Sequence, residues 1–105
     1  MWGDGGPGSL AGVALLNDSE TKLALEGLEG WRVRDGSLVR EWKLEDFAQA
    51  LDFVQRVGAL AEQANHHPDI LLHGWNKVRL TLSTHSEGGL TQADFGLAEQ
   101  IDRLP

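Results

Sequence analysis

Cysteine is absent, and its absence excludes disulfides, thiolate nucleophiles and cysteine-bound zinc. Positive charge is scarce: nine Lys and Arg stand against sixteen Asp and Glu, a formal net charge of −7. A nucleic-acid footprint needs a basic surface, so direct DNA or RNA binding is not expected; a protein partner stays open. Long hydrophobic runs are missing too. The longest, Leu10 to Leu16, is seven residues and includes Gly12. It is too short to span a bilayer, and it lacks the positive n-region of a signal peptide. These absences fit a cytoplasmic protein with no membrane contact.

What remains is enough for one domain. A chain of 105 residues buries roughly 60–70% of the surface its unfolded form exposes. The opening MWGDGGPGS has no periodicity, so residues 1–14 are expected to form a flexible tail and residues 15–105 a single domain. Ser19-Glu20 followed by Leu23, Leu25 and Leu28 predict a short helix ending near Gly27 or Gly30. Asp35-Gly36 suits a two-residue hairpin turn, because glycine accepts the positive φ that such turns require. Before it, Trp31 and Val33 alternate with Arg32 and Arg34, as in a half-buried strand; the strand after it alternates less cleanly.

Residues 45–64 carry apolar side chains at Phe47, Ala50 and Leu51, Val54, Val57, Ala61 and Ala64. That is a helical period with one face turned to a core, and Glu45 and Asp46 are expected in its first turn, at the positive end of the dipole. Pro68 forces the helix to stop near His67, and Asn65 suits the left-handed capping position. A short apolar run, Asp69 to His73, turns at Gly74 into a strand where Val78, Leu80 and Leu82 alternate with polar residues. Thr91 and Asp94 then form a capping box, with Leu90 and Phe95 as its hydrophobic staple. The order predicts an α+β two-layer sandwich on an antiparallel sheet.

All four histidines lie between His66 and His85. Three chemistries compete for them. Imidazole is a common metal ligand, but adjacent histidines diverge, no i, i+4 pair is present, and Asp69 is the only carboxylate beside them. Acid–base catalysis near neutral pH is the second, with His66, His67 and His85 converging without a metal. The third is structural: a histidine at a helix C-terminus can simply meet the last carbonyls. For His73, on a strand, the structural account is preferred.

Glu62-x-x-x-His66-His67-Pro68, Trp75 followed by Asn76-Lys77-Val78, the stretch TLSTH ending at His85, and Gly89-Leu90-Thr91 with Asp94 occur in that order. Together they resemble the pterin-4a-carbinolamine dehydratases, a family also known as dimerisation cofactors of a homeodomain transcription factor. A weaker match runs back through Asp46-Phe47 and Ala50 to Gly30-Trp31, so the likeness covers about residues 15 to 102. It implies a four-stranded antiparallel sheet with helices on one face, a ββαββα core behind a short N-terminal helix. It implies that His66, His67 and His85 surround the pterin, with Asn65, Pro68, Ser83, Thr84 and Ser86 lining the site. Trp75 and Glu62 are further substrate-binding candidates, although Trp75 suits packing as well as stacking, and Asp94 is expected to cap a helix and help place His85.

The reaction implied is loss of water from a 4a-hydroxytetrahydropterin, in tetrahydrobiopterin recycling, with neither metal nor cofactor. No dinucleotide fingerprint is present to suggest otherwise. The sequence departs from the family at Ile70, where an aromatic residue is common, and in the spacer to Trp75, which is one residue longer than in the animal proteins. Family members assemble as homodimers or homotetramers, and Trp31 and Trp42 are expected to supply apolar area that one copy leaves uncovered. Against that, Arg32, Arg34 and Arg79 can solvate an open sheet face. The alternative function is a non-catalytic interaction module of the same fold, resembling the transcriptional coactivator and binding a protein partner.

Overall fold

The structure is a computed structural model and describes residues 14–105; apart from Ala14, the expected tail lies outside the described residues. Seven elements follow in the expected order: α1 (Asp18–Leu25), β1 (Arg32–Arg34), β2 (Ser37–Lys43), α2 (Phe47–Ala64), β3 (Asp69–His73), β4 (Lys77–Leu82) and α3 (Gln92–Asp102). The four strands form one sheet in the order β1-β2-β4-β3, with every pairing antiparallel. Asp35 and Gly36 both have positive φ, 52° and 76°. That is the mirror-image turn whose twist matches the strands it joins.

Register decides which side chains meet the helices. Leu38 lies opposite Leu82, and Leu80 lies between Arg40 and Ile70. Leu38, Val78, Leu80 and Leu82 are fully buried, each full burial contributing roughly 1.5–3 kcal/mol. They pack with Ala50, Val57 and Ala61 of α2 and with Phe95, Leu97, Ala98 and Ile101 of α3. Val39 is also buried, although it faces away from the helices. Two adjacent buried residues in β2 explain why that strand's alternation reads poorly.

Three expectations are corrected. Helix α2 starts at Phe47, with Asp46 outside it as the N-cap accepting a hydrogen bond from the Gln49 N–H; no acid occupies the first turn. Its core face is also rotated: Phe47 and Leu51 are about half exposed, while Ala50, Val57 and Ala61 are covered. The tryptophans are not left for a second copy. Trp31 is buried and its indole N–H donates to Asp102 at 3.0 Å. Trp42 is half-buried, edge-on to Trp31 at 5.5 Å and tilted against Phe53 at 4.9 Å. The Arg40 guanidinium lies 4.7 Å from the Trp42 ring centroid.

Candidate active site

Sheet register brings together segments that are far apart in sequence. Leu38 pairs with Leu82 and Asp69 with Thr81. The turn before β2, the chain entering β3 and the chain leaving β4 therefore meet at one end of the sheet. His66-His67-Pro68, Ser83-Thr84-His85 and Asp35-Gly36-Ser37 are the residues so collected.

At the end of α2, Asn65 adopts the left-handed conformation, and its N–H donates to the carbonyls of Ala61 and Glu62. The His66 N–H also donates to Ala61. Backbone therefore closes this part of the helix, and both imidazoles turn to carboxylates. His66 is 1% exposed, and its Nε2 donates to Asp94 Oδ1 at 2.6 Å. The other Asp94 oxygen accepts from the Thr84 hydroxyl and from the Thr91 N–H, each at 2.9 Å. Thr91 and Thr84 share a further hydroxyl contact of 2.7 Å. A fully buried carboxylate is costly unless its lone pairs are occupied; here both oxygens are. Asp94 thus completes the capping box of α3, anchors His66, and holds the residue that precedes His85.

His67 is half-buried and its Nε2 contacts Glu62 Oε2 at 2.5 Å. Glu62 is in the last turn of α2 and His67 just beyond the Asn65 cap, so Glu62 orients the imidazole. His85 is exposed, in a turn closed by the bridge between Thr84 and Gly89 and by the Gly88 N–H donating to Thr84. Gly88 has φ +74°, a conformation that favours glycine. The His85 side chain opens onto a cavity of about 310 Å³ whose other walls are Asp35, Gly36, Ser37, Ser83, Gly88 and Gly89.

Other candidates lie elsewhere. His73 is on the sheet face away from the helices, where its Nε2 makes a short hydrogen bond to Glu41. That bond, with the charges of His73, Arg79 and Lys77, holds the Glu41 carboxyl below its usual range. Trp75 sits in the β3–β4 turn with φ +61° and is largely exposed. Six strand residues separate it from the end of β4, about 20 Å at a strand's rise, so it neither packs in the core nor meets His85. Asn65 and Ser86 are exposed and Pro68 is half-buried. Ser83 lines the His85 cavity, whereas Thr84 points inward to Asp94.

Among the described residues, no group of three or more His, Cys, Asp or Glu is assembled to hold a metal. A larger cavity of about 560 Å³ lies beside the start of α2, among Asp46, Gln49, Asp52 and Arg56. It contains no histidine, and its Asp52 is paired with Arg56 at 2.9 Å. The His85 cavity is smaller but has a histidine in its wall. Its Asp35 and Ser37 were not legible as site residues: Asp-Gly signals a turn, and only register places that turn beside His85.

The comparisons with known proteins agree with this fold. Residues 14–104 match the sequence model of the family described as Pterin 4 alpha carbinolamine dehydratase. A provisionally named pterin-4-alpha-carbinolamine dehydratase of Herpetosiphon aurantiacus is 49% identical over 92 residues, covering 88% of this chain and 95% of that protein. The crystal structure of a transcriptional coactivator/pterin dehydratase from Brucella melitensis is similar in fold, with a TM-score of 0.78 and 36% identity; the match covers 83% of this chain and 94% of that one. A pterin dehydratase-like protein identified as a RuBisCO assembly factor in the alpha-carboxysome is also similar, at TM-score 0.55 and 25% identity, over 69% of this chain and 82% of its own.

Proposed function

The chain belongs to the pterin 4 alpha carbinolamine dehydratase family of hydro-lyases, and from that premise we propose that it dehydrates 4a-hydroxytetrahydropterins by histidine acid–base chemistry, as a step in tetrahydropterin recycling. The single observation that carries the reading is His85 on the wall of a cavity built by the β1–β2 turn and the chain leaving β4. Its neighbour Thr84 shares a buried carboxylate with His66.

The chemistry asks for two proton transfers near neutral pH. The C4a–O bond breaks as a protonated imidazole donates to the departing hydroxyl, which leaves as water. A neutral imidazole accepts the N5 proton, and the electron pair of that N–H bond forms the N5=C4a double bond of the quinonoid dihydropterin. Donor and acceptor have then exchanged protonation states, and solvent restores them. His67 and His85 fill these roles, because their rings reach solvent; Glu62 fixes His67. His66 acts through Asp94 as a positioning residue, since its ring is covered.

Chemically generated 4a-hydroxytetrahydropterin, followed by the absorbance of the quinonoid product, tests the reading. The expected result is turnover above the spontaneous rate that a chelator does not change. No acceleration, or activity lost to chelator and restored by zinc, contradicts it. A second reading, a non-catalytic interaction module, draws on the two structural relatives described as a coactivator and as an assembly factor. The same assay separates the two.

A further inference from the structure

The cavity at His85 has one acidic wall that the proton transfers do not use. Asp35 is the only carboxylate lining it, and its side chain makes no hydrogen bond or ion pair among the described residues. Turn geometry accepts Asp-Gly but does not by itself require the acid. A turn with positive φ at both central positions is served at least as well by Asn-Gly. What a carboxylate adds over the amide is negative charge and two acceptor oxygens, facing the same space as His85.

We propose that Asp35 binds the amino-pyrimidine edge of the pterin and selects 2-aminopteridines over 2-oxo ones. This rests on the dehydratase reading of the same cavity. The exocyclic 2-amino group and the ring N3–H are two parallel donors, a match for the two oxygens of a carboxylate. C2 lies directly across the pyrimidine ring from C4a. A group that grips the C2 edge and a group that attends C4a therefore belong apart in one cavity, and Asp35 and His85 line this one from separate segments, the β1–β2 turn and the chain after β4. Asp35 is a substrate-binding residue here, with no part in moving protons.

The test is Asp35→Asn. Asparagine tolerates the φ of +52° found at this position, so the hairpin is kept, and an unchanged melting temperature checks that. It replaces one acceptor with a donor facing the 2-amino group. Binding is read by the intrinsic fluorescence of pterin and of lumazine, its 2-oxo counterpart, and turnover with the 4a-hydroxy substrate. The wild type is expected to prefer pterin. The variant is expected to bind pterin roughly 10–100-fold more weakly, the cost of losing a charge-assisted hydrogen bond. Its pterin preference should narrow or reverse, and the loss in turnover should fall on KM and not on kcat.

Equal pterin affinity and unchanged preference in the variant, with normal turnover, overturn this proposal and leave the dehydratase reading standing. Asp35-dependent pterin binding with no turnover by the wild type does the opposite. A wild type that binds no pterin overturns both.

Discussion

At the scale of single residues, Asp94 has the most to lose. It accepts from His66, from Thr84 and from the Thr91 N–H while buried completely. Asp94→Ala removes a helix cap and strands three donors, each worth about 1–3 kcal/mol when buried and unmet. Thermal melting of Asp94→Ala is expected to fall by more than any single-cap loss, and kcat to fall with it because His85 loses its anchor. A folded Asp94→Ala protein with wild-type kcat would show that the carboxylate only caps. Glu41 makes a separate prediction about pH. Its folded-state carboxyl is held low by the His73 hydrogen bond first and by nearby cations second. As pH drops, the unfolded chain takes up that proton first, near the ordinary value of about 4.3. The contribution is therefore complete above that pH and is lost as pH falls through the lower folded value. Glu41→Gln should flatten the acid limb of the stability profile in that window; an unaltered limb would place the acid sensitivity elsewhere.

Elements were legible wherever a local rule fixed them. Asn65 capped left-handed before Pro68, Thr91 and Asp94 closed a capping box, and Asp35-Gly36 made the hairpin. Each of these is decided by a few adjacent residues. What was not legible depends on contacts between distant elements. Periodicity gave a helix over 45–64 but not its rotation, because Phe47, Leu51 and Phe53 are all apolar and only packing selects Phe53 for the core. Trp31 and Trp42 read as spare surface until Asp102, Arg40 and Phe53 are seen around them. Trp75 is a binding candidate only through the motif it opens, Trp75-Asn76-Lys77-Val78, and sheet register sets it a strand's length from His85. Asp46 gives this scale its prediction. As the N-cap of α2, its replacement by Ala should cost about 1 kcal/mol, a fall in Tm of roughly 4–8 °C for a domain of this size. A melting temperature within a degree of wild type would mean that the cap contributes little.

For the whole molecule, charge is distributed unevenly. The sheet face away from the helices holds Arg32, Arg34, Lys43, Lys77 and Arg79, five of the nine basic residues, against Glu41 and Asp69 of sixteen acidic ones. Two such faces repel each other, so stacking them is a poor route to assembly. Off that face, exposed apolar residues include Phe47 and Leu51 on α2 and Ile70 on the edge strand β3, while Leu71 of the same edge strand lies on it, opposite Arg79. We propose a homodimer or homotetramer built on those surfaces, since closed symmetric assembly covers both a helix ridge and an open edge. Light scattering at micromolar concentration should give a multiple of 11.5 kDa, and Leu51→Glu should lower it. A mass of one chain that persists as concentration rises contradicts this.

The central claim is that histidines gathered at one sheet end carry out a dehydration. It is tested most directly by the initial rate of quinonoid dihydropterin formation from 4a-hydroxytetrahydropterin, compared across His67→Ala, His85→Ala and His73→Ala at equal folded concentration. The account predicts kcat lower by ~10²–10⁴ for His67→Ala and for His85→Ala, the usual worth of a proton-transfer group, and near wild type for His73→Ala, whose ring is engaged by Glu41 on the other sheet face. Equal losses in all three, or none in any, would contradict it.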